Sequence, residues 1–464
     1  MPNRINGKWR EAGFQFWALV AFLVIVFFSG GSSRADVQSL VLLRPLAVLV
    51  CGAALLTLSW SNVRSQPTLF GMAAAILALL CLHLVPLPPA IWSALPGREM
   101  MVGIDETAQL GQVWRPLTMS PSSTWNALYA LFVPLAVLLL GIQIDRNELF
   151  KLHLVVLSLG LLSGFWGFLQ ATGDPGGSLY LYRITNNGSA VGLFANRNHQ
   201  AVLLATLFPM LAVFASAGIK TEERAKLNGG IAIAVGAALI PLILVTGSRT
   251  GLLCGVLGLL SAGLLYRKPN VITPKKRKIR RFDPKYILIT AAVSAMGALT
   301  VLMSRAEALR RLSIPDQSED LRWKIWAVTA DAASIYFPVG SGIGSFAPVF
   351  QMHEPQKILG ESYVNQAHND WLDLYLTSGL SGMLLCAIAL VLTLLASLKA
   401  FRSPIEHSRE VPFARLGAII IGLIAIGSAA DYPLRTPIMG CVSVVALLWL
   451  SGNRASRFEK AGNH

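Results

Sequence analysis

Between Met303 and Gly382 the sequence gathers Arg305, Arg310, Arg311, Arg322, Lys324 and His368. A guanidinium carries a planar fork of N–H donors that matches phosphate oxygens and stays charged, so arginines in one segment suit the gripping of a phosphate or diphosphate. An unperturbed imidazole titrates near pH 6.5 and can accept a proton from a sugar hydroxyl at ambient pH. His368, followed by Asn369 and Asp370, is therefore the acid–base candidate. Arg249 stands in the tight turn Gly247-Ser248-Arg249-Thr250, where its side chain would be exposed at headgroup depth. Arg197 lies among Asn196, Asn198 and His199 at a helix start, a polar cluster that could bind substrate.

Each of these residues also has a structural reading. Arginines at the ends of apolar runs can snorkel to lipid headgroups, and Arg305, Arg310 and Arg311 fit that description best. Asp431 and Arg435 bracket the turn Asp431-Tyr432-Pro433-Leu434-Arg435, and an ion pair inside the turn is the simplest account of them. Asp370 and Asp373 (i,i+3), like Glu319-Asp320 beside Arg322, could hold a divalent ion through oxygens; local pairing with arginines is simpler. His199, His83 and His353 lack the company that singles out His368. Arg44 sits inside an apolar run beside Pro45; such an arginine needs a partner, which the sequence does not name.

The elements that must position these side chains are membrane helices. Of the 464 residues 54% are hydrophobic and only 14% charged, and apolar runs near the length that crosses a bilayer recur along the chain. They lie at about 14–30, 38–60, 68–86, 125–144, 150–171, 198–217, 229–247, 250–266, 286–303, 379–398, 416–432 and 436–451. The expectation is an all-α polytopic bundle of about 12 spans forming one membrane domain over 1–464, with a long outer loop over 304–378. With the N-terminus inside, the inner segments carry about twice as many Lys and Arg as the outer ones. The run Lys275-Lys276-Arg277-Lys278-Ile279-Arg280-Arg281 anchors the inner side. The net charge of +15 is thus largely topogenic, which argues against nucleic acid as a partner and for contact with anionic lipid. The first run has a basic leader and a small-residue tail resembling a signal peptide, but reads better as an uncleaved anchor. The five cysteines fall in or beside apolar spans without metal-ligand spacing.

Three outer segments stand out: a Pro-rich one at about 87–124, a Gly/Asn-rich one at about 172–197, and the long loop. In the last, Leu321, Ile325, Val328, Ala332 and Ile335 follow helical spacing and predict an amphipathic helix along the interface, ended by Pro338 and the Gly340–Gly344 bend. A second helix is predicted from Asn365 to Gly379, with His368 in its first turn, where free backbone N–H groups favour anions.

Four motifs occur in a familiar order. Gly192-Leu193-Phe194-Ala195-Asn196-Arg197-Asn198-His199 resembles the G-x-F-x-N-x-N element of the O-antigen ligase and polymerase superfamily, and Thr246-Gly247-Ser248-Arg249-Thr250-Gly251 resembles its T-x-S-R turn. Arg322-Trp323-Lys324-Ile325-Trp326 with Pro338–Phe346 is similar to its R-x-x-x-W…G-x-G-x-G-x-F pattern, and Ala367-His368-Asn369 with Gly379-Leu380-Ser381-Gly382 to its closing H-N…G-L-x-G element. Arg197 stands where relatives often have a small residue or Pro.

The resemblance implies a glycosyltransferase of the bacterial inner membrane; the even number of spans and the Lys/Arg distribution lead to the expectation that both termini are cytoplasmic. It would move glycan from a polyprenyl-diphosphate carrier, at the periplasmic face, to a lipid A-core or lipid-linked glycan acceptor. It implies catalytic roles for His368, Arg249 and Arg322, and inversion without metal or cofactor. Arg197, Asn198, Asn369, Arg305, Asp431 and Arg435 are the expected substrate contacts, and other polysaccharide-assembly proteins are possible partners. A lipid-linked oligosaccharide flippase is the competing reading. It fits less well because, Arg44 apart, the span centres read Leu, Ala and Val, whereas transporters concentrate polar residues at the midplane.

Overall fold

The computed structural model describes residues 12–216, 221–269, 317–360, 363–404 and 410–452. The basic run 275–281, the expected span 286–303 and Arg305, Arg310 and Arg311 lie outside the described residues. Every other expected span is a helix. In chain order the helices are α1 (Phe14–Ser29), α2 (Leu40–Thr57), α3 (Trp60–Ser65), α4 (Pro67–His83), α5 (Pro89–Trp92), α6 (Glu99–Thr107), α7 (Pro121–Gly141) and α8 (Arg146–Thr172). There follow α9 (Arg197–Ser216), α10 (Glu222–Val245), α11 (Arg249–Leu265), α12 (Gln317–Tyr336), α13 (Phe346–His353), α14 (Asp370–Arg402), α15 (Glu410–Ala430) and α16 (Pro437–Ser451). A short antiparallel pair, β1 (Pro86–Leu87) and β2 (Arg115–Pro116), is the one sheet among the described residues.

Among the described residues α2, α7, α8, α9, α10, α14 and α15 are long and apolar enough to cross a bilayer, and α1, α4, α11 and α16 are shorter apolar helices. This is an all-α polytopic membrane protein. Its outer surface is apolar where lipid tails would touch it, as at Leu384, Ile388, Val391 and Leu395 of α14. A helix satisfies its backbone within the segment, which is why such a surface can face hydrocarbon. Helix α9 is the opposite case: nearly all of it is buried, against α8, α10, α11 and α15. Its N-terminal residues are therefore fixed by the densest packing in the molecule.

At the end where α9, α11 and α16 begin, the connecting loops are knitted together. Backbone N–H groups of Ser341 and Gly342 donate to the carbonyls of Leu376 and Thr377, Leu380 N–H donates to Pro338, and Met119 N–H donates to Ser341. Gly340 makes this possible: its φ is +83° and a Cβ there would stand 2.7 Å from Gly379 N. The Arg98 guanidinium, fully buried, donates to the carbonyls of Pro96 (2.9 Å), Leu117 (2.8 Å) and Gly340 (3.1 Å). It lies beside the Trp92 and Tyr336 rings. Burial pulls its pKa down to about 10, so it remains charged at neutral pH.

Two local expectations need correction. Helix α12 exists and ends before Pro338, but its buried stripe is Ile325, Thr329, Ala332, Ala333 and Tyr336, while Leu321 and Ile335 are exposed. Small Ala and Thr side chains let the helix approach α14, which outweighs the burial of larger Leu and Ile. The second loop helix begins at Asp370, not at Asn365; it does end at Gly379, whose non-helical backbone (φ +55°, ψ −147°) separates the two helical segments of α14 across a kink.

Replacing Arg98 by Ala should leave one buried and two part-buried carbonyls without that donor and destabilise the protein by on the order of 3 kcal/mol. Thermal unfolding of the detergent-solubilised variant checks this; an unchanged midpoint would show that Arg98 does not tie the loops together.

Candidate active site at the loop end of the bundle

Asp431 follows the last residue of α15 and is buried to 2% exposure. An ionised carboxylate in such a place requires donors, and the fold supplies them from three parts of the chain. Asn198 donates to Oδ2 at 2.5 Å and Asn196 to the same oxygen at 3.1 Å. The backbone N–H of Tyr432 donates to Oδ1 at 3.1 Å. His368 Nδ1 lies 3.2 Å from Oδ1. Burial alone would push the Asp431 carboxyl up, but the hydrogen bond with His368 and the electrostatic attraction of the surrounding His199, His368 and Arg322 side chains outweigh it, holding the carboxyl below the usual carboxylate range.

An ionised Asp431 can only accept, so His368 Nδ1 must carry the proton. In the neutral ring Nε2 is then the free lone pair. The imidazole is a quarter exposed, against 3% for its partner carboxylate, so the pair has a buried and an open side. His368 has φ +51°, rare for a residue with a side chain. It stands before α14, not in its first turn. The cap is Asn369, whose Oδ1 accepts from Trp371 and Leu372 N–H. The expected substrate contact through Asn369 must therefore use its remaining amide group. The Tyr432 ring packs against His368 (4.9 Å between centroids) and His199 (5.0 Å), and burial raises its phenol pKa, so it stays protonated.

Arg322 reaches the same place from α12, where its Nη1 donates to the Ala430 carbonyl at 3.3 Å. Arg249 opens α11, capped by Ser248, whose Oγ accepts from Gly251 N–H. Gly251 abuts Ala201, one turn along α9 from Arg197, so the starts of α9 and α11 are adjacent. Arg197 begins α9, its backbone N–H bonded to Asn186 Oδ1 at 3.0 Å. Among the described candidates the structure thus joins His368, Asp431, Asn198 and Arg322 at one centre, and brings the helix starts bearing Arg197 and Arg249 side by side.

The expected Asp431–Arg435 ion pair does not form. Asp431 is occupied as described, and Arg435 instead bonds Asp373 (2.6 Å) and Asp370 (3.3 Å). The turn points its two charged residues to different partners, each richer in hydrogen bonds than the other end of the turn would be. Asp370 and Asp373 do pair with an arginine, though one from the far side of the sequence. Asn196, His199 and Tyr432 were not anticipated; His199 Nε2 is 3.9 Å from Asp431 Oδ1. The run Asn196-Arg197-Asn198-His199, four polar residues at the head of an apolar span, was the available signal.

The family model described as O-Antigen ligase matches residues 231–387. Over this segment, about a third of the chain, the protein is similar to the O-antigen ligase family. The segment contains Arg249, Arg322 and His368, whereas Asn196, Asn198 and Asp431, which complete the centre, lie outside it. No curated protein matches the chain.

Asp431 has a stability signature. A group whose folded pKa is depressed contributes stability above its unfolded value, here the ordinary 3.8, and loses it as pH falls through the folded value. The gap in unfolding temperature between wild type and Asp431→Asn should shrink as pH falls below about pH 4. A gap independent of pH would show that the carboxylate's charge is not what the site holds.

Proposed function

We propose that this protein is an inverting glycosyltransferase that takes glycan from a polyprenyl-diphosphate carrier at the periplasmic face of the bacterial inner membrane. The observation that carries this reading is the His368–Asp431 pair, open on one side and buried on the other, in a chain similar over residues 231–387 to the O-antigen ligase family. In the proposed reaction, His368 Nε2 accepts the proton of an acceptor hydroxyl as its oxygen attacks the anomeric carbon. Asp431 stabilises the resulting imidazolium and keeps the ring in the tautomer that can accept.

As the carbon–oxygen bond forms, the bond to the diphosphate breaks and the leaving group takes the electron pair. Arg249 and Arg322 neutralise that growing charge, electrostatic stabilisation of the oxyanion-hole kind. Arg197, Asn198, Asn369 and Arg305 are assigned to binding the glycan or its diphosphate, and no metal or cofactor is assigned. Asp431 moves from the expected substrate contacts to orienting His368, and Arg435 to its Asp370 and Asp373 partners. The excess of Lys and Arg in the segments read as inner supports cytoplasmic termini.

His368→Ala, Arg249→Ala and Arg322→Ala should each abolish transfer while leaving protein abundance near normal. Arg249→Lys should lose much activity as well, because it keeps charge without the bidentate fork. Full activity in the three alanine variants would remove the site. Surface polysaccharide and the carrier-linked pool of a deletion strain separate the acceptors. Polymer accumulating on the carrier with a bare acceptor marks a ligase; single repeats on the acceptor mark a polymerase. Two unchanged pools would exclude both.

A further inference from the structure

A cleft of about 250 Å³ opens between the α1–α2 turn, the loop-end halves of α2 and α7, and α13. Three arginines line it. Arg34 is paired with Asp36 at 3.0 Å, and Arg435 with Asp370 and Asp373. Arg44 is different. Its bonded partner is the neutral amide oxygen of Asn126, and its Nε is buried without a hydrogen-bond acceptor. A cation at the edge of a bilayer without a counter-ion is costly. Arg44 also lies one turn into α2, where the positive end of the helix dipole adds to the need for negative charge.

Gln366 Oε1, also on the cleft wall, is buried without a donor. Arg44 therefore suits an anionic partner, and Gln366 Oε1 suits a hydrogen-bond donor such as a hydroxyl. At four residues into the helix, Arg44 stands only about 6 Å below its start, the depth of a headgroup. Val41, Leu42 and Leu49 of α2 are exposed apolar neighbours on which acyl chains can lie. The cleft also adjoins the Asp431 centre, since Arg435 on its wall bonds Asp370, two residues after His368.

We infer that this cleft is a binding site for the phosphorylated, hydroxyl-bearing headgroup of a membrane lipid, with Arg44 holding the phosphate and Gln366 a hydroxyl. Resting on the transferase reading, its occupant during turnover is the lipid-anchored acceptor, delivered to His368 from the side of Arg435.

The test uses the full chain in detergent, titrated with phosphatidylglycerol or phosphatidylcholine, with bound lipid read by native mass spectrometry. Wild type should prefer phosphatidylglycerol, and Arg44→Ala and Arg44→Gln should each weaken that binding by roughly tenfold; His368→Ala should bind as wild type does. Equal binding by wild type and both Arg44 variants would overturn the site. Displacement of the lipid by excess inorganic phosphate would also overturn it, because the ligand would then be a free anion. In transfer assays Arg44→Gln should raise KM for the acceptor lipid and leave KM for the donor unchanged; an unchanged acceptor KM would overturn the acceptor role. If wild type transfers nothing, the transferase reading fails, and the lipid titration still decides the site.

Discussion

A buried carboxylate must be surrounded by donors or it will not stay ionised. Asp431 meets that constraint by drawing together parts of the chain that are far apart in sequence. Asn196 is 235 residues away and His368 is 63 residues away. Satisfying one side chain thus fixes the start of α9, the entrance to α14 and the end of α15 relative to one another. It also sets the tautomer of the one exposed imidazole at the centre. Had the carboxylate been satisfied by Arg435, four residues on, it would have organised nothing beyond its own turn.

The surrounding structure makes that arrangement rigid. Helix α9 is held on almost every face, so Asn196 and Asn198 enter the site from an element that cannot drift. The glycine bend at 340–344 locks the loop onto the backbone of α14 just beyond Asp373. Arg98 ties the same bend to the segment before α7. His368 lies between these two anchored regions, in a left-handed conformation that a free loop would relax. Binding groups held on such fixed elements need little reorganisation when charge develops in a transition state.

Most of the fold was legible in the sequence, because a bilayer demands long apolar helices and little else looks like them. Side chains near the membrane surface were harder. The phase of α12 was misjudged because Leu321 and Ile335 were given the weight of their size, whereas close approach to α14 selected Ala332, Ala333 and Thr329. The start of α14 was readable in principle: Asn369 followed by Asp370 and Asp373 is an N-cap with acids in the first turn, which puts His368 outside the helix. His199 and Asn196 were passed over because their partner, Asp431, lies more than 230 residues further along the chain, and periodicity within one segment carries no information about such distances. For the same reason nothing marked Arg98, an ordinary arginine in a Pro-rich segment, as a fully buried tie.

The pairing of His368 with Asp431 is best measured by a double-mutant cycle on transfer of carrier-linked glycan, using Asp431→Asn, His368→Gln and the two combined. Residues that act as one unit give non-additive losses. The double variant should therefore be no slower than the slower single variant. Losses that multiply would mean that the two side chains act independently and that Asp431 does not orient the base.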